Sequence, residues 1–486
     1  MKNKRYYLLL ILPLFAIQLD AQPSISSTEN DPQTMVFEYL DKHGSDYGDI
    51  AMKIWELAEV GYQEHESSQL LQQKLRSEGF DVEAGVAGMP TAFVASYGSG
   101  KPVIAVLGEF DALPGVSQAA VPYKKERPEV NAGHACGHHL FGSGSAAAAA
   151  AAKKWLEQSG TSGTIRFYGT PAEEGGAGKV YMVRGGLFDD VDAVLHWHPS
   201  PVNAANPGNS LANKSAKFRF YGQASHAAGA PERGRSALDG VEAMNYMVNL
   251  MREHVPQETR MHYVITRGGE APNVVPAFAE VYYYIRNPEA GMVKQLFDRV
   301  VAAAEGAAQG TGTKMEYEVI HGIYNLVPNE TLQKMMHKNL VQVGGVEYTP
   351  EEKAFAEKII ATYPDTKVKP EDAAEVMPYA VPRSGGYGST DVGDISWVTP
   401  TVGMGAATWA PGTSAHSWQA VAAGGTTIGR KGMLVAAKTL ALTAIDIFQN
   451  PEVTAKAREE LEKIRGKDFV YQSLLGDREP PLDYRK

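Results

Sequence analysis

The chain has 486 residues, of which 44% are hydrophobic and 21% are charged, and its formal net charge is −10. This length supports two or three folded domains, and the composition is that of an ordinary soluble globular protein. The acidic balance excludes the basic face that a nucleic-acid partner requires.

The first residues show the pattern of a secretory signal peptide. Lys2, Lys4 and Arg5 precede the apolar run YYLLLILPLFAI, and Ala21 offers a small residue at the cleavage point. The run is shorter than the roughly 20 residues that span a bilayer. We therefore expect residues 1–21 to be removed and the protein to be exported, either periplasmic or secreted.

From about residue 34 the pattern alternates between helices and strands. The segments QTMVFEYLDKHGSDYGDIAMKIWELAEV and SSQLLQQKLRSEGF have helical spacing, and KPVIAVLGEF predicts a strand buried on both faces. A helix with the alanine run 146–152 indicates close packing between helix and sheet. With the further strands TIRFYGT and DAVLHWHP, this order predicts an α/β fold with a mainly parallel sheet.

A different order of elements follows in residues 211–325. It reads β-α-β-β-α-β, from SAKFRFYGQASHA to KMEYEVIHGIY, which is the ferredoxin-like order. We interpret it as an inserted domain whose strand edge is available for pairing with a second copy. The helix-strand pattern then resumes, and the apolar helix KGMLVAAKTLALTAIDIFQN closes the core. The expected organisation is a discontinuous α/β domain over 34–210 and 326–450, an insertion over 211–325, and a C-terminal tail over 451–486.

Three predicted strands end in residues that commonly bind metals. The pairs at these ends are Glu109 and Asp111 in VIAVLGEFDALP, Glu173 and Glu174 in TIRFYGTPAEEGG, and His196 and His198 in AVLHWHP. The segment NAGHACGHHLFGSG adds Cys136, the only cysteine, and His138. In open α/β sheets, sites form at the carboxyl ends of strands, so we expect these groups to converge on one crevice.

A thiolate with imidazole and carboxylate groups is typical of zinc sites, and imidazole with carboxylate also binds manganese. In an extended backbone, Glu173 and Glu174 point in different directions, so one can bind a metal while the other acts as a base. Metal-assisted hydrolysis requires that division. The alternative is a cysteine nucleophile with a histidine base, which explains Cys136 and His138 but leaves the glutamates and the HWH segment without a role.

Spacing alone assigns nothing to four further polar residues. Arg286, at the end of AEVYYYIR, is best explained as a solvated charge at a strand end. His226, in GQASHAA, is explained equally well by local hydrogen bonds. Asn273, in GGEAPNVVP, and His416, in the loop GTSAHSWQ, are uninformative by themselves.

The set of motifs resembles a known superfamily. HACGHHLFGSG, TPAEEGGAGK, HWHP, ASHAA, PNVVPAFAEVYYYIR and STDVGDISW, followed by GTSAHSWQ, are similar in kind and order to motifs of the dinuclear-metal amidohydrolases of the aminoacylase and glutamate-carboxypeptidase superfamily. Within it, the chain most resembles the aminobenzoyl-glutamate hydrolase type. The resemblance implies two divalent ions, Mn²⁺ or Zn²⁺, a small N-acyl amino acid substrate and a homodimer, and it allows a second, paralogous subunit.

The resemblance also implies roles for individual residues. Glu173 matches the general base, and the matching metal ligands are Cys136, His138, Glu174 and His416. The remaining histidine ligand is His198 in the aminobenzoyl-glutamate type and His196 in the auxin-conjugate type. Both lie on one face of a strand at i and i+2, and we favour His198.

Four positions complete the implied site. Asp111 matches a carboxylate that orients a ligand or water. His226 matches a histidine that the inserted domain of a partner subunit supplies to the reacting carbonyl oxygen. Asn273 and Arg286 match positions that hold the substrate carboxylate. The sequence departs from many relatives at His139, where they have Asp, and at STDVGD, where they have Glu-Asp-Phe.

The sequence therefore predicts a metal-dependent hydrolase of the amide bond in N-acyl amino acids such as aminobenzoyl-glutamate, with the inserted domain acting in dimerisation and as a lid. Two alternatives remain open. One is a dipeptidase or aminoacylase that acts on other N-acyl amino acids. The other is a non-catalytic relative that binds metal or peptide, which the intact pair of Glu173 and Glu174 disfavours.

Overall fold

The computed structural model describes residue 1, residues 31–381 and residues 388–486. Residues 2–30, which carry nearly all of the expected signal peptide, lie outside the described residues, so export stays a prediction. The strands are β1 Asp81–Ala84, β2 Phe93–Ser99, β3 Val103–Gly108, β4 Leu113–Pro114, β5 Ala132–Gly133, β6 Gly163–Gly169, β7 Ala193–Ser200, β8 Ala212–Tyr221, β9 Arg260–Arg267, β10 Phe278–Asn287, β11 Lys314–Ile323 and β12 Thr401–Ala407.

The helices surround these strands in two groups. They are α1 Pro32–Leu57, α2 His65–Ser77, α3 His138–Ser159, α4 Gly178–Arg184, α5 Ala237–Met251, α6 Ala290–Thr311, α7 Glu330–Val343, α8 Pro350–Ile360, α9 Val392–Val398, α10 Trp418–Gly424, α11 Thr427–Gln449 and α12 Glu452–Arg465. Local sequence fixes several starts. In α1, Pro32 occupies the first turn and the Asp31 carboxylate accepts a hydrogen bond from Thr34 N.

The central sheet has the strand order β1-β2-β6-β3-β7-β12. The strands β6, β3, β7 and β12 are parallel neighbours, while β1 and β2 add an antiparallel edge. Every residue of β3 is buried, as its continuous apolar sequence predicted. The predicted α/β class with a mainly parallel sheet is confirmed.

The alanine-rich helix α3 lies at the centre of this domain. It contacts β3, β6 and β7 as well as α1 and α11, and all seven alanines of residues 146–152 are buried. A Cβ at Gly142 would lie 2.7 Å from the carbonyl oxygen of Glu109, just past β3. Small side chains therefore let the start of α3 approach the end of the sheet, where the predicted site lies.

Helix α11 is long and apolar enough to cross a membrane by length and composition alone. However, 78% of its apolar window is buried inside the fold, where it contacts α3 and α7. The prediction that this apolar helix closes the core is therefore confirmed.

The second sheet is antiparallel, with the order β11-β8-β10-β9. Helices α5 and α6 pack together against it, and their apolar side chains join Phe218 and Phe220 of β8 in a separate hydrophobic cluster. The chain order β8-α5-β9-β10-α6-β11 combined with this strand order is the ferredoxin-like arrangement. The inserted α/β unit expected from the sequence is therefore present.

We predict that Ala148→Leu destabilises the central domain by about 1–3 kcal/mol, because Ala148 is 1% exposed and a larger side chain would separate α3 from its neighbours. Urea unfolding followed by circular dichroism measures the change. Ala455→Leu, on the exposed face of α12, is the matched control and should change little. Equal shifts for both variants would show that α3 has room for larger side chains.

Candidate metal centre

The parallel strands β3, β6, β7 and β12 have their carboxyl ends on the same side of the central sheet. The predicted site residues lie at these strand ends. Glu109 and Asp111 follow β3, Glu173 and Glu174 follow β6, and His198 lies within β7. Because carboxyl ends of parallel strands share an edge, residues far apart in sequence become neighbours.

Two loops complete this edge. Before α3, Gly137 has φ of +77°, and a Cβ there would lie 2.6 Å from Cβ of Pro199, so the loop that carries Cys136 requires glycine. The loop after β12 is tied to it, since His416 N donates to Ala135 O at 2.9 Å. His416 itself has φ of +59°, a strained conformation of the kind found at functional sites.

The structure brings five predicted ligands into two groups of potential donors. Cys136, His138 and His198 form one group, and Cys136, Glu174 and His416 form the other; within each, the donor atoms lie within 4.8 Å of one another. Cys136 Sγ is 3.4 Å from His198 Nε2, and His416 Nε2 is 3.2 Å from Glu174 Oε1. Cys136 belongs to both groups, so these five residues together would suit two divalent cations.

Asp111 orients both groups. Its Oδ1 lies 2.8 Å from His138 Nδ1, so the opposite ring nitrogen, Nε2, is the one that faces the cluster. Its Oδ2 accepts a hydrogen bond from the backbone nitrogen of Glu174 at 2.9 Å. A carboxylate that holds a ligand histidine in this way is a recurrent feature of metal sites.

The donor atoms fit a cation. His138 Nε2 lies 3.0 Å from Glu109 Oε2, yet neither atom, nor Glu174 Oε1, makes a hydrogen bond to any described residue, although all three are buried. A buried polar atom without a partner costs free energy, and a metal ion would satisfy these atoms. The residues present therefore fit the divalent ions that the sequence predicts.

The charge state of the thiol also fits. Burial by itself would raise the pKa of Cys136, but the charges of His198 and His138 lower it well below its usual value. Interactions with Cys136 and Glu174 raise the pKa of His416 to about 10. The thiolate is the form of cysteine that binds a metal.

Glu173 belongs to neither group that contains Cys136. Burial, followed by the charges of Glu109 and Glu174, raises its pKa well above the usual value. The backbone here is a turn rather than the extended segment assumed from the sequence, and Ala172 has φ of +56°. Glu64 supports this strained turn, since its Oε1 accepts a hydrogen bond from Ala172 N at 2.8 Å.

A buried ion-pair network lies directly behind the cluster. Lys179 Nζ is 2.6 Å from Glu109 Oε1 and 2.8 Å from Asp391 Oδ1, and the three side chains are at most 1% exposed. Glu109 also forms a third potential metal-binding group with His138 and Glu173. Burial would lower the pKa of Lys179, but Asp391 and Glu109 raise it, so the ammonium stays charged.

The structure separates the two histidines between which the sequence could not decide. His198 belongs to a donor group that contains Cys136, whereas His196 belongs to none of the groups found among the described residues. The imidazole of His196 occupies space left by Gly403, where a Cβ would lie 2.2 Å from Nε2. Burial lowers the pKa of His196 to about 4, so its imidazole is neutral.

His139, which stands where many relatives have aspartate, points away from the cluster. Its Nε2 lies 3.0 Å from Gly424 O, and its ring packs 4.8 Å from that of His134. Burial lowers the pKa of both imidazoles. This histidine therefore joins α3 to the end of α10.

A cavity of about 660 Å³ opens beside the cluster, between the central domain, the inserted domain and the end of the chain. The polar side chains that line it are Cys136, Glu173, Glu174 and His416 from the central domain, Asn213, Tyr284, Arg286 and His321 from the inserted domain, Ser389, and Arg485 near the C-terminus. Arg286 thus lies where a substrate would bind next to the cluster.

His226 and Asn273 do not line this cavity within one chain. They lie together on the inserted domain, where Ala227 N donates to Asn273 O at 3.0 Å. Both residues are exposed, and His226 Nδ1 accepts hydrogen bonds from the nitrogens of Ala228 and Gly229. The structure therefore places Arg286, but not Asn273, at the cavity of its own chain.

Sequence reasoning missed several residues at the site. Asp391 lies in the STDVGD segment noted only as a departure, and Lys179 lies in AGK, yet nothing in the spacing indicates their ion pair. His321 and Asn213 face the cavity only because β11 pairs with β8. Arg485 is the penultimate residue of the chain and had no sequence signal.

Known protein families and sequences include relatives of this chain. Residues 105–473 match the family model described as peptidase family M20/M25/M40. The chain is 44% identical over 444 residues to one of the subunits of the p-aminobenzoyl-glutamate hydrolase of Escherichia coli K12, covering 86% of this chain and 92% of that protein. It is 29% identical over 453 residues to human Xaa-Arg dipeptidase, covering 89% and 93% of the two chains.

A solved structure shares the fold. It is a dinuclear metal-binding peptidase of the M20 family from Bacillus subtilis, with a TM-score of 0.57 and 18% sequence identity, covering 84% of this chain and 99% of that one.

We predict that Lys179→Met destabilises the fold by about 3–5 kcal/mol, because it removes the ammonium that lies between the buried carboxylates of Glu109 and Asp391. Thermal and urea unfolding measure the effect. The control is Lys334→Met on α7, which removes an exposed pair with Glu330 and should leave the unfolding midpoint nearly unchanged. Similar midpoints for both variants would contradict the importance of the buried network.

Proposed function

This chain belongs to peptidase family M20/M25/M40 and is a hydrolase of amide bonds, and we propose that its substrates are N-acyl amino acids such as p-aminobenzoyl-glutamate. One observation carries the proposal: two donor groups that share Cys136 lie beside a cavity that also contains a separate carboxylate, Glu173, and a guanidinium, Arg286. These are the parts needed to activate water and to hold an anionic substrate next to it.

The residues of the two donor groups are the proposed metal ligands. We propose that Cys136, His138 and His198 hold one divalent ion, and that Cys136, Glu174 and His416 hold the other. Zinc or manganese suits this mixture of thiolate, imidazole and carboxylate, and such ions polarise the amide carbonyl and lower the pKa of water. Asp111 contributes by fixing the ring of His138 and the backbone of Glu174.

Glu173 is proposed to move the proton. Its carboxylate lines the cavity and is not part of either donor group that contains Cys136, so it is free to accept a proton from the attacking water. Burial raises its pKa, so this carboxylate accepts a proton more readily than an exposed glutamate does, as a general base requires. The same oxygen then delivers the proton to the departing amine.

Arg286 is proposed to bind the carboxylate of the substrate. Among the described residues its side chain has no ion pair, and its buried Nε has no hydrogen-bond partner. A guanidinium binds a carboxylate through two parallel hydrogen bonds, which would fix the orientation of the scissile amide.

A second subunit is proposed to complete the site. His226 and Asn273 are exposed on the inserted domain and lie outside the cavity of their own chain. We propose that they enter the cavity of a neighbouring copy, where His226 donates to the reacting carbonyl oxygen and Asn273 binds the carboxylate. The E. coli relative is named as a subunit, so a paralogous partner is the alternative to a homodimer.

Two other functions are distinguishable. A dipeptidase is favoured by the similarity to Xaa-Arg dipeptidase, but that match is 29% identical, against 44% for the aminobenzoyl-glutamate relative. A cysteine hydrolase would need Cys136 free to attack, whereas its thiol lies in both donor groups.

We predict that Glu173→Gln abolishes most turnover while the protein still binds metal, because the carboxylate that carries the proton is lost and the donor groups stay intact. Removing such a group typically costs about 10²–10⁴-fold in rate. The experiment measures aminobenzoate release from aminobenzoyl-glutamate by protein starting at Gln22, with zinc or manganese, together with metal content. Glu357→Gln, an exposed change on α8, is the control.

Chelation should stop the wild-type reaction, and added metal should restore it. Loss of bound metal in Glu173→Gln would instead make Glu173 a ligand. Activity that survives chelation but is lost after thiol alkylation would favour the cysteine hydrolase. Bound metal without aminobenzoate release would move the substrate to other N-acyl amino acids or dipeptides, and absence of any turnover would favour a binding protein.

We also propose that the protein is exported, on the signal-peptide pattern of residues 1–21. The expected outcome is a mature protein that begins at Gln22. N-terminal sequencing of protein isolated from its native cells would contradict this if Met1 were retained.

A further inference from the structure

The last 21 residues, 466–486, which we call the C-terminal segment, connect both domains to the cavity. Leu474 is buried against β11, where a Cβ at Gly322 would lie 2.8 Å from Leu474 Cβ. Further along, Tyr181 of α4 donates through its hydroxyl to Glu479 O at 3.3 Å. The segment therefore runs from the inserted domain to the central domain and returns to the metal centre.

The last residues of this segment pack closely against residues 61–63 of the central domain. Gln63 Nε2 donates to Leu482 O at 2.8 Å, and the ring of Tyr62 packs edge-on against that of Tyr484 at 5.7 Å. A Cβ at Gly61 would lie 2.1 Å from the Tyr484 hydroxyl, so this approach requires glycine. Such close packing holds the chain end in one place.

Two side chains of the segment bind the turn that carries the catalytic glutamates. The Tyr484 hydroxyl donates to the carbonyl oxygen of Glu174 at 3.1 Å, and Arg485 Nη2 donates to the same oxygen at 2.9 Å. The guanidinium of Arg485 also stacks on the Tyr484 ring, 4.9 Å from its centroid. One nitrogen of Arg485 is therefore used for anchoring, and the group lines the same cavity as Arg286.

Neither arginine has a carboxylate partner among the residues that the structure describes. Arginine has five N–H donors and is seldom buried without a counter-ion. Two histidines also line the cavity. His416 belongs to a donor group with Cys136 and Glu174, and His321 is neutral, since burial, followed by Arg286 and Arg478, lowers its pKa to about 4. The cavity therefore holds two unpaired guanidinium charges, on opposite structural elements, next to a cluster of potential metal ligands.

We propose that Arg485 binds the side-chain carboxylate of the substrate, so that the preferred substrates are N-acyl derivatives of acidic amino acids. The inference rests on the proposed function, in which Arg286 binds the α-carboxylate. Two guanidinium groups complement a dicarboxylate such as an N-acyl glutamate or aspartate, whereas a neutral side chain would leave the charge of Arg485 without a counter-ion.

The experiment compares aminobenzoyl-glutamate with aminobenzoyl-glutamine, which has the same shape and one negative charge fewer. We expect the wild type to prefer the glutamate compound, and Arg485→Met to lower kcat/KM for it by about 10- to 100-fold, mainly through KM. Arg485→Met also removes the hydrogen bond to Glu174 O, which affects both substrates, so the expected signature is a loss that is at least about threefold larger for the glutamate compound than for the glutamine compound. Lys486→Met, which removes the adjacent exposed charge, is the matched control and should leave both substrates unaffected.

Other outcomes would overturn the proposal. An equal loss on both substrates in Arg485→Met would mean that Arg485 only positions the Glu174 turn, and no loss would mean that it contacts no substrate. Arg485→Lys keeps the charge but not the paired donors, and it should retain part of the preference for glutamate. A thermal melt shows whether each variant folds, and Arg485→Lys serves as the test if Arg485→Met does not.

A binding measurement separates this proposal from the proposed function. Calorimetry measures the binding of N-acetylglutamate and of N-acetylglutamine to the metal-loaded wild type and to the metal-loaded Arg485→Met variant. If no amide is hydrolysed, the proposed function fails, yet a preference for N-acetylglutamate that disappears in Arg485→Met would still support the role of Arg485. Equal binding of both compounds by the wild type would overturn it.

Discussion

The carboxylate of Asp111 is the contact on which the candidate metal centre depends. One oxygen fixes the ring of His138 and the other binds the backbone of Glu174, so a single side chain orients a member of each donor group. Asp111 is 1% exposed, and it follows a strand whose residues are all buried. Because the sheet fixes that strand, the relative position of the two groups is set by the core of the domain.

The buried charges next to the candidate metal centre are paired with groups of opposite charge. The Lys179 ammonium lies between Glu109 and Asp391, and the second oxygen of Glu109 faces His138. Buried ion pairs add little net stability compared with apolar packing, but removing one partner is expensive. The network therefore fixes the electrostatic environment of the metal-ligand residues more than it stabilises the fold. Helix α4 supplies Lys179 and helix α9 follows Asp391, so both helices become part of the site.

Three parts of the chain meet at the cavity, and each has a different task. The central domain carries the ligand cluster and Glu173, the inserted sheet carries Arg286, and the C-terminal segment carries Arg485. Since the segment packs against both domains, it couples their positions at the point where substrate would bind. In the proposed function, the chemistry takes place at the strand ends of the central domain, and the inserted sheet and the C-terminal segment bind the anionic groups.

The sequence by itself determined the α/β class, the ferredoxin-like insertion and the types of donor group, because hydrophobic periodicity and ligand-type residues at strand ends are local properties. It could not choose between His196 and His198, which share a strand face, since that choice depends on which imidazole reaches Cys136. Only the tertiary structure decided the pairing of Lys179 with Asp391 and brought Arg485 to the cavity beside Glu174. These contacts join residues 212 and 311 positions apart through packing, and no local pattern records such packing.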